Sequence, residues 1–191
     1  WHPTDNSLLL CGSSDFKCRL FSAWIKQTDT NDTKSNGALG TMIAEYNAKG
    51  WVHDVEFSPS GNELAFIGHD SSVTFVDRKD NDKISVVRTP DLPLRTGIFL
   101  SENAFVAGGY DYTPLAFTKG SNGEWKLSGK CDLAPQAKTQ STGGVRSAFE
   151  KFQTVSKVTA TTRHHNVINS ILPYKEDKGQ VTVFSTSALD G

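Results

Sequence analysis

Between Trp51 and Arg88 apolar and polar residues alternate with a period of two, interrupted at short intervals by turn-forming residues. Trp51-Val52-His53-Asp54-Val55-Glu56-Phe57 reads as a strand with one buried face. Ser58-Pro59-Ser60-Gly61 follows as a turn, because proline presets the bend and glycine tolerates backbone angles that other residues avoid. Glu63 to Gly68 is the next predicted strand, His69-Asp70-Ser71 a tight turn, Val73 to Asp77 the third strand and Ile84 to Arg88 the outer one. Four strands joined by short turns make a meander. No segment before Gly143 has helical periodicity.

The pattern recurs along the chain. An apolar strand, small residues, an aspartate and a second alternating strand occur at Leu8 to Phe21, Leu64 to Val76, Ala104 to Phe117 and Val181 to Gly191. The marking aspartates are Asp15, Asp70, Asp111 and Asp190, at spacings of 55, 41 and 79 residues. The middle spacing fits one four-stranded propeller blade of roughly 40 to 45 residues, and the longer ones then carry insertions of about 14 and about 38 residues. In a short turn the aspartate side chain accepts hydrogen bonds from backbone N–H groups that the strand ladder leaves free. Four unrelated surface turns would account for the aspartates, but not for the strands that repeat around them. The fold class expected is all-β, a WD-repeat β-propeller, with blades at about 1–48, 49–90, 91–131 and 166–191 and an inserted loop or helix at 132–165. That makes about three and a half blades, fewer than most closed rings hold, so the chain is expected to be part of a larger propeller.

The 37% hydrophobic fraction is ordinary for a globular protein, and 20 basic against 21 acidic residues leave a formal charge of −1. That balance supplies no global field for nucleic acid or an anionic membrane, so neither is an expected partner. No apolar run approaches the roughly 20 residues that cross a bilayer, and Trp1-His2-Pro3 does not open a signal peptide, which points to the cytoplasm. Cys11, Cys18 and Cys131 lack zinc-site spacing and read as small buried hydrophobes. His2, His53, His69, His164 and His165 form no ligand set, and no phosphate loop, nucleophile elbow or metalloprotease motif is present. The expectation is a protein without catalytic residues, metal or cofactor, which works by binding other proteins.

The two insertions differ in kind. Gln27 to Gly40 is polar and reads as a surface loop. Pro135 to His165 carries Lys138, Arg146, Lys151, Lys157 and Arg163 against Glu150 alone, a local basic patch. Within it Val145, Phe149, Phe152 and Val155 recur at steps of 4, 3 and 3, which places them on one face of a short helix that Ser141 or Thr142 could cap. At about 12 residues such a helix is marginal alone. It either packs on its own propeller, stays a charged loop, or docks on a partner with Phe149 and Phe152 as anchors and Arg146, Lys151 and Lys157 meeting an acidic surface.

Trp1-His2-Pro3 and the run from Leu8 to Lys26, above all Ser14-Asp15-Phe16-Lys17-Cys18-Arg19-Leu20-Phe21-Ser22-Ala23-Trp24-Ile25-Lys26, closely resemble the WD-repeat subunit of the actin-related protein 2/3 complex. Gly50-Trp51-Val52-His53, Phe57-Ser58, Ser71-Ser72-Val73 and Leu189-Asp190-Gly191 look like the family's following blades in the same order. The resemblance implies a seven-bladed propeller of which this chain is roughly the C-terminal half. It implies a scaffold in the cytoplasmic actin cytoskeleton that supports nucleation of branched filaments. The implied partners are the other subunits of that complex, including the actin-related proteins, nucleation-promoting factors and, through the basic insert, the mother actin filament. An adaptor of another complex, such as a ubiquitin-ligase substrate receptor, is the alternative. The sequence departs from the general WD pattern in lacking a Gly-His pair before Trp51 and in placing Phe21, Val76 and Phe117 where tryptophan is usual. Without the indole N–H donor, strand packing is expected to hold the blades.

Overall fold

A computed structural model describes residues 1–25, 37–131, 162–177 and 179–190. The predicted insert helix, with Arg146, Phe149, Lys151, Phe152 and Lys157, lies outside the described residues, as does Gly191. Among the described residues there are strands and no helix, arranged in four antiparallel sheets. The first sheet holds β1 (Leu8–Gly12), β2 (Lys17–Ser22) and β3 (Met42–Asn47) in that order. The second is the meander β4 (Val52–Phe57), β5 (Glu63–Gly68), β6 (Ser72–Asp77) and β7 (Lys83–Arg88). The third repeats it with β8 (Leu94–Ser101), β9 (Ala104–Gly109), β10 (Leu115–Lys119) and β11 (Trp125–Lys130). The fourth pairs β12 (Ile168–Asp177) with β13 (Gln180–Ala188).

The sheets stack face to face in chain order, and the alternation in β5 shows how. All six residues of β5 are buried. Leu64 and Phe66 pack with Leu8, Leu10, Cys18, Leu20 and Tyr46 of the first sheet, whereas Ala65 and Ile67 pack with Leu94, Phe105 and Leu115 of the third. A strand with period two thus feeds two cores, one on each face. Ile98 and Val106 of the third sheet form the next core with Ile168 and Ile171 of the fourth. Among the innermost strands β4 neighbours β8 and β8 neighbours β12, so the sheets follow one another as successive wedges of a radial array.

The middle core is the most aromatic. Phe75 stacks on Trp125 with ring centroids 4.0 Å apart and planes 6° from parallel, and meets Phe105 edge-on at 5.4 Å. Each such pair contributes about 0.5–1.5 kcal/mol beyond its buried area. Polar clasps reinforce the same boundary. The Lys119 ammonium donates to the Glu63 carboxylate and lies 3.5 Å from Asp77, and the Ser60 backbone N–H and hydroxyl donate to Glu102 at 2.7 and 2.9 Å. Burial pushes the Glu63 carboxyl up, against the pull of the Lys119 charge. Of the cysteines, Cys18 fits the reading as a buried hydrophobe, and burial followed by the nearby Cys11 pushes its thiol up to about 12. Cys131 corrects that reading, since it lies exposed just beyond the end of β11.

Candidate functional site

The four marking aspartates all lie beside the second strand of their sheets. Asp15 sits in the β1–β2 turn, Asp70 in β5–β6, Asp111 in β9–β10, and Asp190 just after β13. In the first three turns the residue after the aspartate is left-handed, with φ of 69° at Phe16, 64° at Ser71 and 62° at Tyr112. The turns therefore share one backbone shape, although none of these residues is glycine.

Their hydrogen bonds differ. Asp111 accepts from the Leu92 N–H at 2.6 Å, and Asp190 accepts from the His165 N–H, so each ties its turn to the segment entering the innermost strand of the same sheet. Asp70 instead accepts from the Ser72 hydroxyl at 2.6 Å. Asp15 pairs with Arg19 at 2.7 Å, and this contact, followed by the Ser13 hydroxyl, lowers its carboxyl below the usual range. At the fourth sheet a side chain joins in. His164 places Nδ1 3.3 Å from Asp190 and Nε2 2.8 Å from the Thr186 hydroxyl. Residues 162–165, read from the sequence as the end of the basic insert, are thus tied into the sheet. An Asp–His–Thr set separated by more than twenty residues gave no local signal.

A second constellation lies where the innermost strands begin. Val52 pairs with Gly68 and Asp54 with Ile67, so His53 is the extra residue of a β-bulge. The next sheet repeats this: Leu94 pairs with Gly109 and Thr96 with Gly108, leaving Arg95 unpaired. So does the fourth, where Ile168 pairs with Ala188 and Ser170 with Ser187, leaving Asn169. A bulge breaks the alternation of the strand and re-aims its extra side chain. His53, Arg95 and Asn169 accordingly line one depression of about 480 Å³, together with Asp54 and Thr96.

An aromatic cluster flanks this depression. His53 Nε2 and His69 Nδ1 are 2.7 Å apart, so one ring donates to the other. His69 also meets Trp51 at 5.3 Å and, across the sheet boundary, Tyr110 at 6.3 Å between ring centroids. Trp51 is 52% exposed, a large apolar surface beside polar donors. Burial, then the neighbouring His69 and Arg95, lower the pKa of His53. The Asp54 carboxylate accepts from the Gly97 N–H at 2.9 Å and from the Val55 N–H at 3.0 Å, while burial raises its pKa. Further along β4, burial and then Asp54 push Glu56 up to about 7. The sequence does not mark these groups as one site, because Trp51 to Phe57 reads as unbroken alternation and a bulge leaves no compositional mark. Among the described residues no group of three or more His, Cys, Asp or Glu side chains is placed to hold a metal ion.

Stacked meanders with a shared aspartate turn define a WD-repeat β-propeller, present here as about three and a half blades. No protein-family model matches the chain. Known proteins do. The chain is 38% identical over 206 residues to actin-related protein 2/3 complex subunit 1A-A of Xenopus laevis, an alignment covering all of this chain and 54% of that protein. It is 35% identical over 209 residues to subunit 1A of Arabidopsis thaliana and 33% identical over 221 residues to subunit 1 of Schizosaccharomyces pombe, covering all of this chain and 55% and 58% of those proteins. The chain is similar along its whole length to proteins named as subunit 1 of the actin-related protein 2/3 complex, and it spans about half the length of the relatives it matches.

Proposed function

We propose that this chain is roughly the C-terminal half of the propeller of a non-catalytic scaffold subunit in an actin-related protein 2/3 complex, acting in the cytoplasmic actin cytoskeleton. The observation that carries this reading is similarity along the whole chain to proteins named as subunit 1 of that complex, from an animal, a plant and a yeast. The architecture suits the role. A rigid stack of sheets holds turns and bulges at fixed positions, and protein partners are recognised by such positioned loops. The other subunits, including the actin-related proteins, are the first partners proposed.

Two finer roles follow from the basic insert at 132–165 and from the family. The insert contacts the mother filament through Phe149 and Phe152, with Arg146, Lys151 and Lys157 meeting acidic surface on actin, and the propeller helps to bind nucleation-promoting factors. Affinity capture from native extract followed by mass spectrometry tests membership: actin-related proteins are expected, and recovery of ubiquitin-ligase components without them would refute it. A branching assay with Phe149→Ala and Phe152→Ala tests the insert. Intact assembly with fewer branches is expected, and unchanged branching removes the insert from the mechanism.

A further inference from the structure

The same bulge, at the same register, interrupts the innermost strand of three successive sheets. What the repeat keeps is the position; what it varies is the side chain, which is histidine, arginine and asparagine in turn. All three offer N–H donors, and all three open on one depression. Arg95 has no carboxylate within ion-pair distance among the described residues. The one acid in the depression, Asp54, is already occupied by the backbone donors of Gly97 and Val55.

We propose that His53, Arg95 and Asn169 form an oxyanion-binding site on the inner rim of the propeller, which takes a carboxylate or phosphate group and tightens when the His53–His69 pair gains a proton. The guanidinium fork of Arg95 supplies charge and paired donors, the arrangement that planar carboxylates and phosphates accept. Asn169 donates from the fourth sheet and His53 from the second, so the anion bridges three blades.

Charge decides the pH dependence. With both imidazoles neutral, the positive Arg95 and negative Asp54 cancel, and the anion is held mainly by hydrogen bonds. One proton added to the histidine pair makes the site net positive. The groups facing that pair are Asp54 on its own strand, Asp70 in the turn that carries His69, Arg95 on β8 and the Tyr110 ring. Asp70 is engaged by Ser72. Arg95 opposes protonation in the free site, and an anion bound to Arg95 removes that opposition. Binding and proton uptake therefore favour each other.

The test is a titration of the intact chain with inorganic phosphate and, separately, with acetate, followed through the ring signals of His53 and His69 by NMR at about pH 5.5 and about pH 7.5. Acetate, which stays an anion at both values, is expected to bind more tightly at the lower pH, by up to about tenfold per pH unit, the limit for one coupled proton. The preferred ion identifies the source as a phosphorylated or an acidic group, and equal binding marks a site for either. Arg95→Gln is expected to weaken binding by about tenfold or more, and Arg95→Lys to retain part of it. His53→Gln should leave binding near pH 7.5 almost unchanged and flatten the pH dependence. Arg95 is exposed at a bulge, so an unaltered circular dichroism spectrum is expected for both Arg95 variants. Silence of the ring signals to both ions overturns the proposal. Binding indifferent to Arg95→Gln does so too, since it marks an adventitious ion only. Binding that does not change with pH overturns the role of the histidine pair.

Discussion

Phe75 is the single residue on which the boundary between the second and third sheets most depends. It is fully buried, stacks on Trp125 at 4.0 Å and has Phe99, Phe105 and Phe117 around it at 6.2, 5.4 and 6.3 Å. Truncating a buried phenylalanine to alanine costs about 3–5 kcal/mol, and the amount depends on how far the surroundings can collapse. Here they cannot collapse far, because the two walls are separate hydrogen-bonded sheets clasped by Lys119 with Glu63 and by Ser60 with Glu102. Phe75→Ala is therefore expected near the upper end, about 4–5 kcal/mol. For a chain of this size the urea dependence is about 2–3 kcal/mol per molar, so the midpoint should fall by roughly 2 M. Equilibrium urea unfolding of the intact protein, read by tryptophan fluorescence, measures it. Val86→Ala, at an exposed position on β7, is the control and should cost less than about 0.5 kcal/mol. A loss below about 1.5 kcal/mol for Phe75→Ala, or an equal loss at Val86, would refute the claim that inter-sheet packing holds this array.

Other expectations follow from single positions. Glu56 is raised to about 7 by burial and then by Asp54, so the folded state keeps its proton longer than the unfolded state. Its contribution is complete below the usual carboxylate pKa of about 4.5 and is lost as pH rises through about 7, at about 1.4 kcal/mol for each pH unit separating the two values, before solvent screening. Denaturant midpoints should decline over that window in the parent, and Glu56→Gln should flatten the decline. At Gly109 an added Cβ would sit 2.4 Å from the Pro93 carbonyl oxygen, 2.7 Å from Leu94 Cα and 2.8 Å from the Arg95 nitrogen, all backbone atoms beside the bulge. Gly109→Ala should therefore lower stability by about 2–3 kcal/mol, visible as a reduced melting temperature. Ser71, at φ of 64°, should accept Ser71→Gly within about 0.5 kcal/mol by the same assay, whereas the β-branched Ser71→Val should cost about 1–2 kcal/mol.

Much of the architecture was legible before any coordinates. Alternation from Trp51 to Arg88 marks strands whose observed bounds lie within a residue or so, because period-two burial and turn chemistry are local properties. The recurrence of that unit around Asp15, Asp70, Asp111 and Asp190 implied a radial array, since a lone meander cannot cover both of its faces. Local pattern does not reach further. That Phe75 meets Trp125, fifty residues on, depends on how two sheets stack.

By itself, then, the sequence determined the strands, their order and the repeat, all of which reside in residue type and spacing. Only the tertiary structure decided the partners of each aspartate, the joining of His164 to Asp190 and Thr186, and the gathering of His53, Arg95 and Asn169 on one rim. The physical reason is that a bulge shifts register by one residue without changing composition, and that side chains from different blades converge only after the blades have packed.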